Sequence, residues 1–286
     1  MSVAEPSFEN AAAQPQPAGR TRPARAAAAS AAAAWLVLFW KRSAVIAALL
    51  VLWELAPRLG LAEPAFLPPL SVVLQAGWKL VLNGQLRQHV QASLGRSLLG
   101  FGIAVLYAIP LGLLIGRLRA AADYLGPVIE LLRNTAALAL LPVFILLLGI
   151  GELSKVAIVL YACSWPILLN TITAVRQVDP LLVKSARTMG AGRLALFWKV
   201  ILPASAPGIF AGVRLAGAVS VLVLVAAEMI GAKAGLGYLI IYSQYNFQIP
   251  QMYVGILSIT AVGLVFNAVL VRLERHFSAW SGQGDS

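Results

Sequence analysis

The sequence of 286 residues lacks the groups that covalent chemistry or a metal site would need. Its one cysteine, Cys163, lies in an apolar run, and no disulfide can form within the chain. Its two histidines, His89 and His276, are isolated, and no cluster of His, Asp and Glu is present to hold a metal ion or to catalyse a reaction. A Gly-rich phosphate-binding loop followed by Lys and Ser or Thr is also absent. The sequence therefore predicts no enzyme and no cofactor bound by this chain itself.

Charged residues are scarce, and their signs are unbalanced. They make up 12% of the sequence, against 60% hydrophobic residues, which exceeds what the core of a soluble fold of this size requires. We therefore expect an integral membrane protein. The 22 Lys and Arg outnumber the 11 Asp and Glu. In a membrane protein this excess reports orientation, because basic residues are retained on the cytoplasmic side, so no nucleic-acid partner is expected.

The beginning of the chain differs in composition from the rest. Residues 1–29 are rich in Ala, Pro, Gln and Arg and have almost no large apolar side chains, so we expect a disordered tail. The next apolar run is followed at once by two basic residues and by another apolar run. This order favours an interfacial helix over residues 30–42 rather than a cleaved signal peptide.

Six apolar segments long enough to cross a bilayer predict an all-α, polytopic membrane domain over residues 43–280, with a short tail over 281–286. The segments cover about residues 43–60, 94–115, 128–150, 155–174, 206–232 and 252–273. Arg133 and Asn134 interrupt the start of the third segment, which predicts a loop or a buried helix end there. In the fifth segment, small residues such as Gly212 and Gly217 predict close helix packing, within one chain or at a dimer axis.

The distribution of basic residues predicts the orientation. With an even number of spans, both termini lie on the same side. The N-terminal tail, the loop at Arg117 and Arg119, the loop over 179–203 and the C-terminal end together hold about fourteen Lys and Arg, against about five in the other loops. We therefore expect both termini and the 179–203 loop to be cytoplasmic, in a bacterial inner membrane.

The loop over residues 179–203 carries its own helix signals. Asp179 precedes Pro180, and an acceptor side chain followed by a residue of fixed φ is typical of a helix start. Gly190 is expected to end this helix in the left-handed conformation, and its missing Cβ also allows close approach of another backbone. A helix of about ten residues does not persist alone in water. It must dock, and the candidate partner is a separate soluble protein.

A narrow apolar stripe on this short helix is the predicted docking face. Leu182, Ala186 and Met189 lie at positions i, i+4 and i+7, while Lys184 and Arg187 lie on another face. The alternative is an ordinary amphipathic linker between two membrane helices.

The spacing of this loop resembles the signature of the permease subunits of bacterial ABC importers, which is Glu-Ala-Ala, three residues, Gly, nine residues, Ile-x-Leu-Pro. Here the pattern reads Lys184, Ser185, Ala186, then Gly190, then Val200, Leu202 and Pro203. The resemblance implies that this loop contacts a cytoplasmic ATPase. Lys184 replaces the usual Glu, so a salt bridge made by that Glu is not expected here, and the facing surface of the partner can have changed sign.

The resemblance extends over about residues 66–280 to the sulfonate, nitrate and taurine branch of these permeases. It is carried by Phe66, Leu67, Pro68, Ser93, Leu94, Arg96, Gly100, Gly149, Ile150, Gly151, Glu152, Ser154, Lys155, Pro166, Asn170, Gly212, Arg214, Leu215, Ala227, Glu228, Met229, Gly235, Leu236, Gly237 and Tyr238. It implies a six-helix transmembrane domain of a type I importer.

The same resemblance implies partners and a solute class. Two copies of the permease work with an ATPase dimer, which binds ATP and Mg²⁺, and with a periplasmic or lipid-anchored substrate-binding protein. The expected solute is a small anion such as a sulfonate, taurine, nitrate or bicarbonate.

Polar side chains inside apolar segments are costly in lipid, so they mark candidates for the transport path. They are Arg133, Asn134, Asn170, Arg214 and Glu228. Each has an alternative. Arg133 can be a positive-inside anchor, and Asn170 can hold helices together. Arg214 can reach the interface, or it can contact neighbouring spans or the 179–203 loop. Glu228 can bond to a neighbouring helix terminus or act in gating, and it is too far along the helix to pair with Arg214.

A secondary transporter driven by an ion gradient is the alternative function, with the 179–203 loop only a connector. Such proteins often contain inverted repeats and broken helices around a site at the midplane of the bilayer. No internal repeat is visible in this sequence, which favours the ATP-driven importer.

Overall fold

A computed structural model describes residues 44–278. The predicted N-terminal tail, the interfacial helix and the C-terminal tail lie outside the described residues. All regular structure within the described range is helical, which confirms the all-α fold class. The chain divides into two compact units after Leu55, and the unit that begins at Ala56 contains every helix discussed below except most of the first.

The described helices follow one another with short connections. In chain order they are α1 (44–58), α2 (Leu70–Leu82), α3 (Gln85–Arg117), α4 (Arg119–Arg133), α5 (Leu141–Leu148), α6 (Glu152–Arg176), α7 (Pro180–Thr188), α8 (Arg193–Leu196), α9 (Leu202–Glu228), α10 (Leu236–Tyr245) and α11 (Ile249–Ser278). A 3₁₀ turn over Ala137–Leu140 precedes α5, and a π turn over Phe197–Ile201 joins α8 to α9.

Four of the six predicted spans are confirmed as continuous apolar helices within the described residues. They are Gln85–Arg117, Glu152–Arg176, Arg193–Glu228 and Ile249–Arg275. The first predicted span is described only as α1, whose 15 residues over 44–58 extend about 22 Å, less than the roughly 30 Å hydrocarbon core. That span stays a prediction.

The third predicted span, over residues 128–150, is not one continuous helix, and the interruption predicted at Arg133 and Asn134 is confirmed. Helix α4 ends at Arg133, and the next helical segment, Ala137–Leu148, is bent from it by 85°. Pro142 lies in the first turn of α5, where its missing N–H breaks no intrahelical bond. We call residues 133–137 the elbow.

Side chains at the elbow satisfy the carbonyl groups that α4 leaves free at its end. The Asn134 amide donates to the Glu130 carbonyl at 2.7 Å, and the Thr135 hydroxyl donates to the Leu131 carbonyl at 3.3 Å. The Tyr161 hydroxyl, from α6, donates to the Leu132 carbonyl at 2.6 Å. Because these bonds replace the missing helical partners, the sharp bend leaves few polar groups unsatisfied.

Helix α6 lies between α3 and α9, and glycines on both neighbours permit close approach. A Cβ at Gly112 of α3 would lie 2.7 Å from Cβ of Thr171, and a Cβ at Gly212 of α9 would lie 2.6 Å from Cβ of Asn170. In the most apolar 18-residue stretch of α6, 44% is buried inside the protein, whereas in the corresponding stretch of α11 only 11% is buried. Helix α6 is therefore the centre of this bundle. The close helix packing predicted at Gly212 is confirmed, and of the two places considered for it the structure shows a contact within one chain.

Candidate functional site

The start of α7 forms as the sequence predicts. The Asp179 carboxylate accepts a hydrogen bond from the Leu181 backbone N–H at 2.8 Å, and Pro180 occupies the first helical position. This cap satisfies one of the free N–H groups of the first turn, while Pro180 has no N–H to satisfy. The short helix therefore begins at a defined residue.

Gly190 ends α7 in the left-handed conformation, with φ of +83°. The Gly190 N–H donates to the Arg187 carbonyl at 3.0 Å, and the Ala191 N–H donates to the Ala186 carbonyl at 3.0 Å. These two bonds form a Schellman motif. A Cβ at Gly190 would meet nothing within 4 Å in the described chain. Gly190 is thus required by its backbone conformation, and a close approach at this residue is not made inside this chain.

The three residues of the predicted docking stripe lie on two different sides of α7, so Ala186 does not belong to an exposed docking face, while docking through Leu182 and Met189 stays a prediction. Val183 and Ala186 pack against a small buried cluster of Val175, Leu196 and Ile201. Leu182 and Met189 instead point away from the chain, with 51% and 85% of their surfaces exposed. The spacing identified an apolar helix but not which side of it faces this chain, because Val183 and Ala186 offer an equally apolar side one residue away.

The side of α7 that faces away from the rest of the chain carries apolar and cationic side chains. Leu181, Leu182 and Met189 are exposed there, and Leu194 and Trp198, which follow the helix in the chain, are exposed as well. Ser185 is exposed on the same helix, as are Lys184 and Arg187. Neither of these two cations forms an ion pair with another residue of the described range. We call the exposed side chains of Leu181, Leu182, Lys184, Ser185, Arg187 and Met189 the α7 surface.

The predicted polar loop ends earlier than residue 203. The helical run resumes at Arg193 and continues to Glu228, so Leu202 and Pro203 belong to the first turn of α9. Pro203 has no N–H to donate to the carbonyl four residues earlier, and the π turn Phe197–Ile201 lies at this position. The guanidinium carbon of Arg117 lies 5.8 Å from the centre of the Phe197 ring, which links the end of α3 to this turn.

A buried ionic cluster lies at the opposite end of α9. Glu228 is fully buried, and its carboxylate pairs with the Arg96 guanidinium of α3 at 2.6 Å. Arg96 also donates two bonds to the carboxylate of Glu152, at the start of α6, one of them at 2.6 Å. One side chain therefore connects three helices that cross the bundle. We call Arg96, Glu152 and Glu228 the ionic cluster.

Neighbouring groups satisfy the remaining oxygens of Glu228. The Ser93 hydroxyl lies 2.8 and 2.9 Å from the two carboxylate oxygens, and the Gly237 N–H donates to one of them at 3.0 Å. Gly235 has φ of +126°, and a Cβ there would overlap the Glu228 carboxylate. The predicted bond from Glu228 to a neighbouring helix terminus is confirmed, since Gly237 is in the first turn of α10. A gating role stays a prediction.

Lys155 adds a second buried cation close to this cluster. It is 2% exposed, and its ammonium group donates to the carbonyls of Gly151 at 3.1 Å and Gly231 at 3.4 Å. The site residues predicted from the sequence did not include Arg96, Glu152 or Lys155. Their signal was present, because an ionisable residue in an apolar segment requires a partner.

The five candidate path residues do not converge on one site. Arg214 pairs with Glu274 of α11 at 3.0 Å rather than with Glu228, which confirms that the two residues of α9 do not pair. The Asn170 amide donates to the Pro166 carbonyl of its own helix at 2.8 Å. Arg133 and Asn134 lie at the elbow, where Arg133 pairs with Glu130 at 3.1 Å. Asn170, Arg214 and Glu228 are therefore all engaged in contacts within or between helices.

A match to one protein family covers most of this structure. Residues 108–281 match the model of the binding-protein-dependent transport system inner membrane component. The chain belongs to this family. Its matched region contains the elbow, α7 and two members of the ionic cluster, whereas Arg96 precedes it.

This chain is similar to several transport permeases over most of their length. It is 34% identical over 243 residues to the taurine transport system permease protein TauC of Escherichia coli, covering 83% of this chain and 88% of that protein. It is 32% identical to a putative aliphatic sulfonates transport permease protein, SsuC, of Bacillus subtilis, covering 84% and 88%. It is 31% identical to the nitrate import permease protein NrtB of Synechocystis, covering 80% and 86%.

Solved structures support the fold of this family member. An inward-facing conformation of the MetNI methionine ABC transporter matches with a TM-score of 0.57 at 17% identity, covering 67% of this chain and 95% of that chain. An amino acid ABC transporter with histidines matches with a TM-score of 0.53 at 18% identity, covering 66% and 92%. These likenesses confirm the fold of an ABC importer transmembrane domain.

Proposed function

We propose that this chain is the transmembrane permease subunit of an ATP-driven importer of a small anion. The relatives are named for transport of taurine, aliphatic sulfonates and nitrate, which supports a solute of this type. The proposal extends the class to bicarbonate, another small anion. Two copies form the path in a bacterial inner membrane, with both termini in the cytoplasm. A periplasmic or lipid-anchored binding protein delivers the solute, and a cytoplasmic ATPase dimer binds ATP and Mg²⁺. The chain itself carries out no covalent step.

The α7 surface carries this proposal. Helix α7 is capped at both ends and packed on one side, so its shape is set before any partner binds. Its other side exposes Leu182 and Met189. Burying these apolar side chains against a partner would stabilise the complex by roughly 25 cal/mol for each Å² removed from water. Lys184 and Arg187 lie beside them, which favours an acidic counterpart on the ATPase.

A movement of α7 is passed to the bundle through packed contacts. Val183 and Ala186 pack against the cluster of Val175, Leu196 and Ile201, and the last two of these belong to the helical run from Arg193 to Glu228. A displacement of α7 by the closing ATPase therefore moves one end of a long helix. The ATPase supplies free energy through the difference in its contacts between the two states.

The ionic cluster receives this movement at the far end of α9. Because Glu228 holds Arg96 and Arg96 holds Glu152, the ends of α3, α6 and α9 are held together. We propose that these ends move as one group when the bundle rocks between outward-open and inward-open states. In this proposal Arg133 and Asn134 remain the candidates for the path, whereas Asn170, Arg214 and Glu228 maintain helix contacts.

Binding of the ATPase tests the proposal. The change is Leu182→Glu together with Met189→Glu, and the matched control is Leu61→Glu, at an exposed apolar residue of the loop between α1 and α2. We expect the double variant to insert normally but to bind the co-expressed ATPase at least about tenfold more weakly, since two buried charges would have no partner.

Two results would contradict the proposal. Unchanged ATPase binding by the double variant would exclude the α7 surface as the docking face. Solute uptake in cells that lack the ATPase, with dependence on an ion gradient, would favour a secondary transporter.

A further inference from the structure

We propose that the pocket between α3, α4 and α6 binds a small oxyanion, and that the bound anion restrains the base of α7. The pocket has a volume of about 360 Å³, which is within the range of small-ligand sites. It is lined by Arg133 and Glu130 from α4 and by Thr173 and Arg176 from α6. The inference rests on the proposed function for the side of the membrane on which the pocket opens and for the movement of α7 during transport.

The polar groups of the pocket favour an anion. Arg133 uses one nitrogen for its bond to Glu130 at 3.1 Å, which leaves its other N–H groups free to donate. Arg176 and the Thr173 hydroxyl form no side-chain hydrogen bond with another residue of the described range. Two guanidinium groups and one carboxylate leave the pocket with one net positive charge.

The geometry of the guanidinium groups indicates which class of anion the pocket binds. A guanidinium group donates two parallel hydrogen bonds, which match two oxygens of a sulfonate or a phosphate. Ile115, Ile129 and Ile172 supply an apolar wall that an alkyl chain can contact. A small organic oxyanion therefore fits the pocket better than a cation or an uncharged polar solute does.

The positions of the two arginines mean that a bound anion would affect the movement of α7. Arg133 is the last residue of α4, at the elbow, and Arg176 is the last residue of α6, four residues before Pro180 at the start of α7. An anion held by both would connect the elbow to the base of α7. Because transport requires α7 to move, this connection slows the ATPase-driven cycle. An anion that accumulates in the cytoplasm therefore inhibits further import.

The oxyanion has two possible sources with the same chemistry. It is either a free anion of the cytoplasm, such as the imported solute, or the phosphate of an anionic lipid, since basic pockets between membrane helices bind such headgroups. The test separates them by using the permease alone in nanodiscs, made either of phosphatidylcholine or with added phosphatidylglycerol.

Binding is measured first, by calorimetric titration of the permease in phosphatidylcholine nanodiscs with ethanesulfonate and with inorganic phosphate. We expect ethanesulfonate to bind, and we expect Arg133→Gln and Arg176→Gln each to weaken binding about tenfold, because each removes charge-assisted hydrogen bonds. Arg272→Gln is the matched control, since Arg272 is exposed on α11 and lies outside the pocket. It should leave the affinity unchanged.

The second measurement is the ATPase rate of the assembled complex. Ethanesulfonate should lower the rate of the unmodified complex, and Arg176→Gln should remove most of this inhibition. Inhibition that persists fully in Arg176→Gln would overturn the connection to α7.

The lipid arm decides the source. If free anions do not bind but phosphatidylglycerol is retained by the unmodified permease and lost from both pocket variants, the site holds and its occupant is lipid. If neither free anions nor lipid depends on the two arginines, the inference is wrong. Since binding uses the permease alone, it can fail while the α7 variants still lose the ATPase, which leaves the proposed function intact.

Discussion

Gly190 shows how one residue determines the geometry of a docking element. Its φ of +83° is accessible to glycine without strain, while a residue with a Cβ loses roughly 1–2 kcal/mol there. The bonds from Gly190 and Ala191 back to α7 depend on this conformation. The sequence alone predicted the position and its left-handed backbone, because a glycine directly after a short capped helix commonly closes that helix with positive φ.

Replacement of Gly190 by Val and by Asn should separate two effects of losing glycine, which are backbone strain at positive φ and an added side chain at the contact with the partner. We expect Gly190→Val to reduce ATP-driven uptake strongly, because a β-branched residue resists positive φ, and Gly190→Asn to retain most of it. Uptake and the amount of inserted protein are measured together. Equal losses in both variants would show that contact with the partner at this residue, rather than φ, is what matters.

Lys184 is the residue at which this chain departs most from its family pattern. We expect Lys184→Glu to weaken ATPase binding about fivefold at low salt, because the counterpart surface is expected to be acidic, and the difference to disappear at high salt. Lys233→Glu, on the exposed loop between α9 and α10, is the control with the same charge change. Tighter binding by Lys184→Glu would mean that the partner has kept a basic surface.

At the scale of elements, the ends of α3, α6 and α9 depend on the ionic cluster. Hydropathy predicted the four continuous spans, since about twenty apolar residues have few alternatives to crossing a bilayer. It did not predict that Arg96 pairs with Glu228, because residues so distant in the chain meet only after the bundle forms. The interruption at Arg133 and Asn134 was predicted, but the sharpness of the bend was not, since the Tyr161 bond to Leu132 that supports it comes from a later helix.

Removal of Arg96 should be costly for stability. We expect Arg96→Met to lower the free energy of unfolding in detergent by about 3–5 kcal/mol, because it leaves the buried Glu228 carboxylate without its cation. The added change Glu228→Met should recover much of the loss. Glu130→Gln, which breaks an exposed pair three residues apart, should change stability by less than about 0.5 kcal/mol. Similar losses for Arg96→Met and Glu130→Gln would refute a structural role for the cluster.

The elbow offers a milder test. Tyr161→Phe removes one hydrogen bond to the Leu132 carbonyl, worth about 1 kcal/mol, so we expect faster amide hydrogen exchange over residues 133–137. Tyr124→Phe is the control, since Tyr124 on α4 is 82% exposed. Unchanged exchange in Tyr161→Phe would show that the bend is held by packing alone.

At the scale of the whole molecule, α7 and the ionic cluster lie at opposite ends of one helical run. The run from Arg193 to Glu228 contains 36 residues, about 54 Å at the usual rise. One helical run therefore connects the two candidate sites, a relation that cannot be inferred from the residues of either site alone. The sequence predicted the first end through its motif, whereas at the second end it singled out only Glu228, as a polar residue in an apolar segment.

The proposed assembly has a direct check. We expect light scattering of the permease in nanodiscs, after subtraction of lipid and scaffold, to give twice the mass of one chain without the ATPase present. A single-chain mass that doubles only after the ATPase is added would mean that the ATPase dimer brings the two permeases together.

The position of α6 between two glycine-bearing helices has an evolutionary consequence. Where backbones meet as closely as at Gly112 and Gly212, volume added on one helix must be removed from the other. Relatives that carry a larger residue at either glycine are therefore expected to carry a smaller one at Thr171 or Asn170. Such reciprocal changes in size would appear as paired substitutions across the family, even where neither residue touches solute or ATPase.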